Sequence, residues 1–269
     1  MKSILPCLAA LPLVCAMAAT AADARAPKPV RKAPRKPIIC AHRGASAQAP
    51  ENTVAAFQLA GRLGADMFEL DTTVTKDGVP VVMHDASVSR TTNGEGNVAD
   101  LELADILKLD AGSFKGPRYA GEPVPLLETA LVKRDGLTVL IEIKGGDAST
   151  RATVEKVVPL VQRLGLQKEV VIQSFNAGVV ARAHELDPTI PTALLFSQVP
   201  ESLPPGITWV NAAHPTVTAE FMQWARDKGY HVGAWTVNKP EDMRRLMDLG
   251  VDMIITDVPD ILRKLRDGA

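Results

Sequence analysis

The chain has 269 residues, of which 46% are apolar and 23% charged, a composition typical of a folded protein with a sizeable core. A formal net charge of −1 and only 4% aromatic residues argue against nucleic-acid binding, which needs a basic surface and stacking side chains. The sequence has no internal repeat or heptad pattern, which excludes solenoids and coiled coils.

The charge is distributed unevenly over three zones. Residues 1–22 carry one charge, at Lys2, and are otherwise apolar or small up to a small-x-small cleavage pattern at 20–22. This predicts a secretory signal peptide at 1–22, with an uncleaved N-terminal anchor as the alternative. Residues 23–37 hold six Lys/Arg, one acid and four prolines, which predicts an extended, basic, Pro-rich linker of net charge +5. The domain at 38–269 is then acidic, with 23 Lys/Arg against 30 Asp/Glu.

The cysteine content agrees with export. Cys7 and Cys15 leave with the signal peptide, so the mature chain keeps only Cys40 and has no intramolecular disulfide. Cys40 lies in an apolar run, which favours a buried small hydrophobe over a reactive thiol. Bulky Val14 before Cys15 disfavours a lipoprotein. We therefore expect a periplasmic or secreted protein with no stable membrane span after signal cleavage; the sequence does not indicate an oligomeric state.

From residue 38 onward, short runs rich in β-branched residues alternate with helical patterns. Many of the runs lack polar alternation, as expected for strands covered on both faces. The predicted strands are Ile38–Ala41, Met67–Val74, Val79–Met83, Leu137–Ile143, Glu169–Ser174, Ile190–Phe196, Ile207–Asn211, His231–Val237 and Met253–Thr256. The predicted helix N-caps are Asn52 or Thr53, Asn176, Thr218 and Asn238.

This alternation predicts an α/β fold, a (β/α)8 TIM barrel. A doubly wound open sheet is the rival, and the lack of a Gly-rich phosphate loop after the first strand weakens it. Strands 2 and 3 are irregular, because the four residues 75–78 between them are too few for a parallel crossover. A hairpin there would place Asp71 roughly opposite His84. Residues 86–125, rich in Gly and Pro, predict an insertion after strand 3 that covers one barrel mouth.

Carboxylates gather at the predicted strand ends, where barrel enzymes hold their catalytic groups. Glu69 and Asp71 are two residues apart and so point to the same face, and Glu142 ends the fourth strand. Three carboxylates in one barrel mouth would repel each other unless a cation neutralised them, and an all-oxygen set suits Ca²⁺ or Mg²⁺. We expect these three to be the metal ligands, although a single strand-end Glu is more often part of a loop salt bridge.

Basic groups follow the same strand ends. His42 and His84 can supply a general base and a general acid, while Arg43 and Lys144 offer positive charge to an anion such as a phosphate. Each also has a plainer interpretation, since His42 can be structural and Lys144 can simply pair with Glu142. Together with a metal, the set predicts phosphoryl transfer.

The ordered set of motifs resembles the glycerophosphodiester phosphodiesterase family over roughly 38–262. The motifs are His42-Arg43-Gly44, Pro50-Glu51-Asn52-Thr53, Glu69-Leu70-Asp71, Lys76-Asp77-Gly78, His84-Asp85, Arg90-Thr91-Thr92-Asn93-Gly94, Glu142-Ile143-Lys144, Gln173-Ser174-Phe175, Trp235-Thr236-Val237-Asn238 and Thr256-Asp257. The resemblance implies a phospholipase-C-like phosphodiesterase barrel. It also implies a Ca²⁺- or Mg²⁺-dependent hydrolase that yields an alcohol and glycerol 3-phosphate.

Carried over by position, the resemblance implies His42 and His84 as the acid–base pair and Arg43 and Lys144 as phosphate contacts. It implies Glu69, Asp71 and Glu142 as metal ligands and Trp235 as part of a glycerol pocket. Glu51 is expected to orient His42 or the metal shell, with Asp85 and Gln173 in supporting positions. Two alternatives stay open. One is a lysophospholipase D or sphingomyelinase-D-like phosphodiesterase with an apolar rim on the insertion; the other is a non-catalytic secreted binding protein.

Overall fold

The computed structural model describes Met1, residues 36–144 and residues 148–268, with the backbone alone for 148–150. The predicted signal peptide at 1–22 and nearly all of the predicted linker at 23–37 lie outside the described residues and stay predictions. The unit that begins at Pro34 contains all the elements described below.

A closed barrel forms the centre of this unit. Its strands are β1 Ile38–Ala41, β2 Met67–Val74, β3 Pro80–Val82, β4 Thr138–Ile143, β5 Val170–Ser174, β6 Thr192–Phe196, β7 Trp209–Ala213, β8 His231–Trp235 and β9 Met253–Thr256. Eight parallel strands follow the order β1-β9-β8-β7-β6-β5-β4-β2, and β1 also pairs with β2. This pairing closes the sheet and leaves no parallel strand with a free edge. The (β/α)8 barrel is therefore confirmed and the open doubly wound sheet is excluded.

Helices connect most of the strands. They are α1 Val54–Arg62, α2 Leu103–Ile106, α3 Leu127–Val132, α4 Ala148–Leu164, α5 Ala177–Leu186, α6 Ala219–Lys228, α7 Pro240–Leu249 and α8 Pro259–Asp267. The segment 197–208 between β6 and β7 has no helix, because three prolines interrupt it.

Side chains start the helices at three of the predicted caps. Thr53, rather than Asn52, caps α1, and Asn176 and Thr218 cap α5 and α6. The predicted cap at Asn238 is wrong. Lys239 precedes Pro240 at the start of α7, and the Asn238 side chain instead donates to Asp257 Oδ2 at 2.6 Å. Proline at the first helical position fixes the helical φ without a side-chain cap.

The connection from β2 to β3 is the predicted irregularity. The two strands pair antiparallel with Thr72 opposite Val82, so β2 and β3 form a hairpin beside the barrel. The backbone N–H of Met83 donates to the carbonyl of Asp71 at 3.1 Å. Asp71 therefore lies opposite Met83, one residue from the predicted pairing with His84, and His84 leaves the hairpin at the barrel mouth.

Between β3 and α3 the chain has turns, the short helix α2, three single-turn 3₁₀ helices and a small core of its own. Buried side chains form a cluster separate from the main core: Val81, Met83, Val88, Val98, Ile106, Ala111 and Val124. The segment packs on the loop after β1, where Lys115 donates to the carbonyl of Ser46 and Tyr119 to that of Gln48. It therefore has a defined conformation beside one side of the barrel mouth.

The barrel interior changes from apolar to charged along the strands. An apolar group in the interior contains Cys40, Met67, Leu140, Val171, Ala193, Met253 and Ile255. Side chains two positions further along a strand share its face, so Glu69 and Asp71 follow Met67, and Glu142 follows Leu140. The period of the strands thus places carboxylates directly above an apolar layer, at the C-terminal mouth.

Candidate active site

Three carboxylates converge in the barrel mouth. Asp71 and Glu142 are register partners on neighbouring strands, and Glu69 lies one step below Asp71 on the same face. One oxygen of each lies within 4.8 Å of the others, and all three residues are buried. Among the described residues, Glu69 Oε1 and Asp71 Oδ1 have no hydrogen-bond partner. Buried oxygens of this kind suit a divalent cation, because they carry negative charge, have free lone pairs and lie close enough together to contact one ion.

The electrostatics of the cluster lead to the same conclusion. Burial raises the pKa of Glu69 well above its usual value, and the charges of Asp71 and Glu142 raise it further. Burial and the charge of Asp71 also raise the pKa of Glu142. Groups this close cannot all ionise without compensation, so bound positive charge would stabilise the cluster.

Residues of the turn after β1 donate hydrogen bonds to two of the carboxylates. The backbone N–H of Arg43 donates to Glu69 Oε2 at 2.9 Å, and Asn52 Nδ2 donates to Asp71 Oδ2 at 2.8 Å. Arg43 and Asn52 have φ angles of 56° and 60°, a strained conformation for residues other than glycine. Gly44 is required beside them, because a Cβ there would lie 2.6 Å from the backbone of Ala56. Of the three non-glycine residues with positive φ in the described part of the chain, two thus lie beside the carboxylate cluster.

Both histidines face the site with one ring nitrogen bound to a carboxylate. His42 Nδ1 lies 2.7 Å from Asp257 Oδ1, and His84 Nδ1 lies 2.6 Å from Asp85 Oδ1. A carboxylate can only accept, so a neutral imidazole carries its proton on Nδ1 and leaves Nε2 free to exchange a proton. Burial lowers the pKa of His84, with the charges of Arg43 and Lys144 adding to the effect against Asp71 and Asp85.

Two cations lie beside the carboxylates. Arg43 Nη1 donates to Glu51 Oε1 at 2.9 Å, and Lys144 Nζ donates to Glu142 Oε1 at 2.8 Å and lies 3.5 Å from Asp71 Oδ1. Although burial acts to lower it, the neighbouring carboxylates raise the pKa of Lys144. Lys144 therefore does pair with Glu142, as its plainer interpretation expected. The raised pKa keeps the Lys144 ammonium protonated at neutral pH, so it adds positive charge to the mouth.

A cavity of about 190 Å³ joins these groups. Its lining residues are His42, Arg43, Glu69, His84, Glu142, Lys144, Gln173, Phe175, Leu195, Trp235, Thr236 and Ile255. One wall is thus charged and the other apolar, where the rings of Phe175 and Trp235 meet edge to face at 5.4 Å. A larger groove of about 420 Å³ lies between α4 and α5 and contains none of the predicted site residues.

The structure brings the predicted residues together and adds others. Gln173 lines the cavity and accepts from Asn211 Nδ2 at 2.8 Å. Glu51 contacts Arg43 and Arg90, and it is Asp257 that contacts His42. Asp257 directly follows the last strand, a position that could have suggested its role.

Asn52 and Phe175 are two further residues that the site prediction lacked. Each stands inside a recognisable motif, Pro50-Glu51-Asn52-Thr53 and Gln173-Ser174-Phe175. Their neighbours in these motifs were given roles, so the motifs themselves were the available signal.

The fold and site define an enzyme that acts on anionic esters, in the phosphodiesterase class. The chain belongs to the glycerophosphoryl diester phosphodiesterase family, whose model matches residues 42–261. It is 40% identical over 239 residues to a putative glycerophosphodiester phosphodiesterase of Bacillus subtilis, covering 86% of this chain and 97% of that one. A glycerophosphodiester phosphodiesterase of Caldanaerobacter subterraneus is 38% identical over 237 residues, covering 86% and 98%.

Solved structures agree with this assignment. An Oleispira antarctica phosphodiesterase, crystallised with the product sn-glycerol-3-phosphate, superposes with a TM-score of 0.82 at 30% identity, covering 86% of this chain and 97% of that one. A putative glycerophosphoryl diester phosphodiesterase of Silicibacter pomeroyi gives 0.78 at 30% identity, covering 86% and 93%. The family resemblance inferred from the motifs is therefore confirmed.

Proposed function

We propose that this enzyme hydrolyses glycerophosphodiesters to an alcohol and sn-glycerol 3-phosphate, with a divalent cation and two histidines as the catalytic groups. The observation that carries this proposal is one cavity lined by two carboxylate-bound imidazoles and by Glu69 and Glu142, which form a buried cluster of three carboxylates with Asp71. Its mixed walls, charged on one side and apolar on the other, suit a phosphate diester joined to a small polyol.

Glu69, Asp71 and Glu142 would hold the cation, and their all-oxygen chemistry suits Ca²⁺ or Mg²⁺. When bound, such an ion supplies charge neutralisation for the phosphate oxygens. Arg43 and Lys144 add their own positive charge at the same wall of the cavity. Trp235, held by its indole N–H on the carbonyl of Asn211 at 2.9 Å, offers a fixed apolar face to the glycerol carbons.

The histidines would carry the proton transfers. One Nε2 accepts the proton of the nucleophile, either a glycerol hydroxyl or water, as its oxygen attacks phosphorus. The other donates a proton to the leaving alcohol oxygen as its bond to phosphorus breaks. Attack by the glycerol hydroxyl forms a cyclic phosphodiester, which water then opens to glycerol 3-phosphate. Each route consumes one water. In the cyclic route the second step reverses the two proton transfers and so returns both imidazoles to their starting protonation. In direct water attack the base ends protonated and the acid deprotonated, and exchange of one proton with solvent at each imidazole restores the starting state.

A second candidate is a lysophospholipase D or sphingomyelinase-D-like activity. The observation that favours it is the exposure of Leu107 and Phe114 on the segment beside the mouth, where that activity would need an apolar rim. Choline release from lysophosphatidylcholine at a rate matching that from glycerophosphocholine would support it. A non-catalytic binding protein is disfavoured, because both imidazoles line one cavity together with two members of the buried three-carboxylate cluster.

We also propose that the enzyme is exported to the periplasm or secreted, with 1–22 as signal peptide, 23–37 as linker and 38–269 as the barrel domain. The apolar leader and the basic Pro-rich stretch support this proposal. Among the described residues, no helix is long and apolar enough to cross a membrane. N-terminal sequencing of the exported protein should begin at residue 23, and a start at Met1 would contradict the cleavage.

The catalytic proposal is tested with purified enzyme and glycerophosphocholine, by measuring sn-glycerol 3-phosphate with and without EDTA. We expect release by the native enzyme, loss in EDTA and recovery on addition of Ca²⁺ or Mg²⁺. Glu142→Gln should lose most of the turnover, whereas the matched control Glu128→Gln, an exposed residue paired with Arg163, should retain it. Turnover that survives EDTA would contradict the metal requirement, and absence of turnover under all conditions would contradict the activity.

A further inference from the structure

Arg90 makes three side-chain hydrogen bonds to two acids beside the cavity. Its Nε donates to Asp85 Oδ2 at 2.5 Å, and its Nη1 and Nη2 donate to the two oxygens of Glu51 at 2.9 and 2.8 Å. Because a guanidinium is planar, its hydrogen bonds to Asp85 and to Glu51 have fixed directions relative to each other, which an ammonium group would not impose. The two acids are thus held in a defined geometry by one side chain.

Each of these acids also forms a hydrogen bond with a residue that lines the cavity. Asp85 Oδ1 binds His84 Nδ1 at 2.6 Å, and Glu51 Oε1 accepts from Arg43 Nη1 at 2.9 Å. Arg43 in turn contacts the metal-type cluster through its backbone N–H on Glu69. Arg90 itself does not line the cavity, so any effect on the chemistry passes through its two partners.

The backbone around Arg90 is held by the small core of this segment. Thr91, on one side, is buried and its hydroxyl contacts Met83 Sδ at 3.4 Å. Val88, two residues before Arg90, is fully buried and its backbone N–H donates to the carbonyl of Gly96. Since Val88 and Thr91 are buried on either side of it, the backbone at Arg90 has a defined position, although the Arg90 side chain is 48% exposed.

We propose that Arg90 is a positioning residue that sets the orientation of His84 through Asp85 and of Arg43 through Glu51. It thereby links the acid–base group and the phosphate-binding group, and this assignment rests on the function proposed above. Exposed ion pairs contribute little to stability, so the role is one of orientation. Arg90 also lowers the pKa of Asp85 to about 2, which keeps that carboxylate ionised as an acceptor for His84.

The test compares Arg90→Gln and Arg90→Lys with a matched control. Arg182 also bridges two acids, Glu155 and Glu185, but lies between α4 and α5, so Arg182→Gln changes the same chemistry outside the mouth. We expect Arg90→Gln to lower kcat/KM for glycerophosphocholine roughly 10- to 100-fold, with kcat reduced through His84 and KM raised through Arg43. Arg90→Lys should recover part of this loss, and Arg182→Gln should match the native enzyme.

A second measurement does not depend on turnover. In ¹⁵N-histidine NMR spectra, assigned with His84→Gln, the native protein should show His84 protonated on Nδ1. Arg90→Gln should give a mixture of Nδ1 and Nε2 tautomers, while Arg182→Gln should not. Native kinetics or an unchanged His84 tautomer in Arg90→Gln would overturn the proposal. If the native enzyme fails to hydrolyse glycerophosphocholine, the proposed function falls and the tautomer measurement still decides the role of Arg90.

Discussion

The two histidine–carboxylate pairs of the site are built from different parts of the molecule. His42 and Asp257 are 215 residues apart and follow β1 and β9, neighbouring strands of the barrel. His84 and Asp85 are adjacent in sequence and follow the hairpin that leads into the segment between β3 and α3. Closure of the barrel therefore forms the first pair, whereas the second depends on the conformation of a connecting segment.

Their supports differ in charge as well as in position. Asp257 accepts from two neutral donors, Ser46 Oγ at 3.0 Å and Asn238 Nδ2 at 2.6 Å. Asp85 instead accepts from the cation Arg90. The pair His42–Asp257 is thus held by hydrogen bonds from neutral donors between barrel strands. The pair His84–Asp85 is held by exposed ion pairs, which salt and substitution disturb more easily.

The largest effects are expected when either imidazole is removed. His42→Ala and His84→Ala should each lower kcat about 10²- to 10⁴-fold, the usual contribution of a general acid or base. A substrate with a nitrophenol leaving group needs no proton from the enzyme, so it should restore turnover in the variant that has lost the acid. Rescue of one variant alone assigns the two roles.

Near-native turnover of either alanine variant would show that one pair is structural. Rescue of both variants by the same nitrophenyl substrate would contradict the division into acid and base. His231→Ala is a suitable control, because His231 begins β8 at the opposite end of the barrel and stacks beside Trp209.

Replacing the carboxylates tests the supports. Asp257→Asn and Asp85→Asn should each lower kcat/KM roughly 10- to 100-fold, since an amide places N–H where the native carboxylate accepts a hydrogen bond. Raising the salt concentration should weaken the contacts that hold His84 more than those that hold His42, because salt screens the ion pairs of Arg90. A kinetic comparison of both variants over a range of NaCl measures this difference. Equal salt dependence of native enzyme, Asp85→Asn and Asp257→Asn would contradict the contrast.

The pH dependence of the second pair has a defined direction. Because burial lowers the pKa of His84, its NMR titration midpoint should lie below the usual value of about 6.5. Asp85→Asn should move this midpoint lower still, since the hydrogen bond from His84 to Asp85 raises the pKa. Asp257→Asn should leave it in place. A His84 midpoint above 6.5, or one that responds to Asp257→Asn, would break the proposed independence of the two pairs.

The smallest expected effect concerns the helix behind the first pair. Thr53→Ala removes the cap of α1, whose backbone packs against Gly44, and should reduce the free energy of unfolding by about 1 kcal/mol. Thr218→Ala removes the equivalent cap of α6 and should cost a similar amount. Thermal unfolding followed by circular dichroism should show a Tm lower by about 2–4 °C in both. An unchanged Tm for Thr53→Ala alone would show that tertiary contacts, not the cap, hold α1.

The contrast between the two pairs also explains what the sequence could predict. Period-two spacing was enough to put Glu69 and Asp71 on one face, and strand ends identified His42, His84 and Glu142. The contact between His42 and Asp257 requires knowing that β1 and β9 are neighbours, which only barrel closure decides.

Other features depended on competition between local possibilities. Asn is a common helix-capping residue, yet the Asn238 side chain donates a hydrogen bond to Asp257 instead. Nothing in the local sequence indicates this contact. The contact between Glu51 and Arg90 spans 39 residues and joins two turns, where periodicity gives no register. One residue of shift in the hairpin likewise followed from its turn geometry, which the Asp77-Gly78 pattern suggested only approximately.

The most direct test of the central claim is a crystal structure of the enzyme with Mn²⁺ and sn-glycerol 3-phosphate, with the ion located by its anomalous signal. The account predicts one ion bound by Glu69, Asp71 and Glu142, and a phosphate within hydrogen-bond distance of Nε2 of both His42 and His84. An ion bound elsewhere, or a phosphate in contact with only one of the two imidazoles, would contradict it.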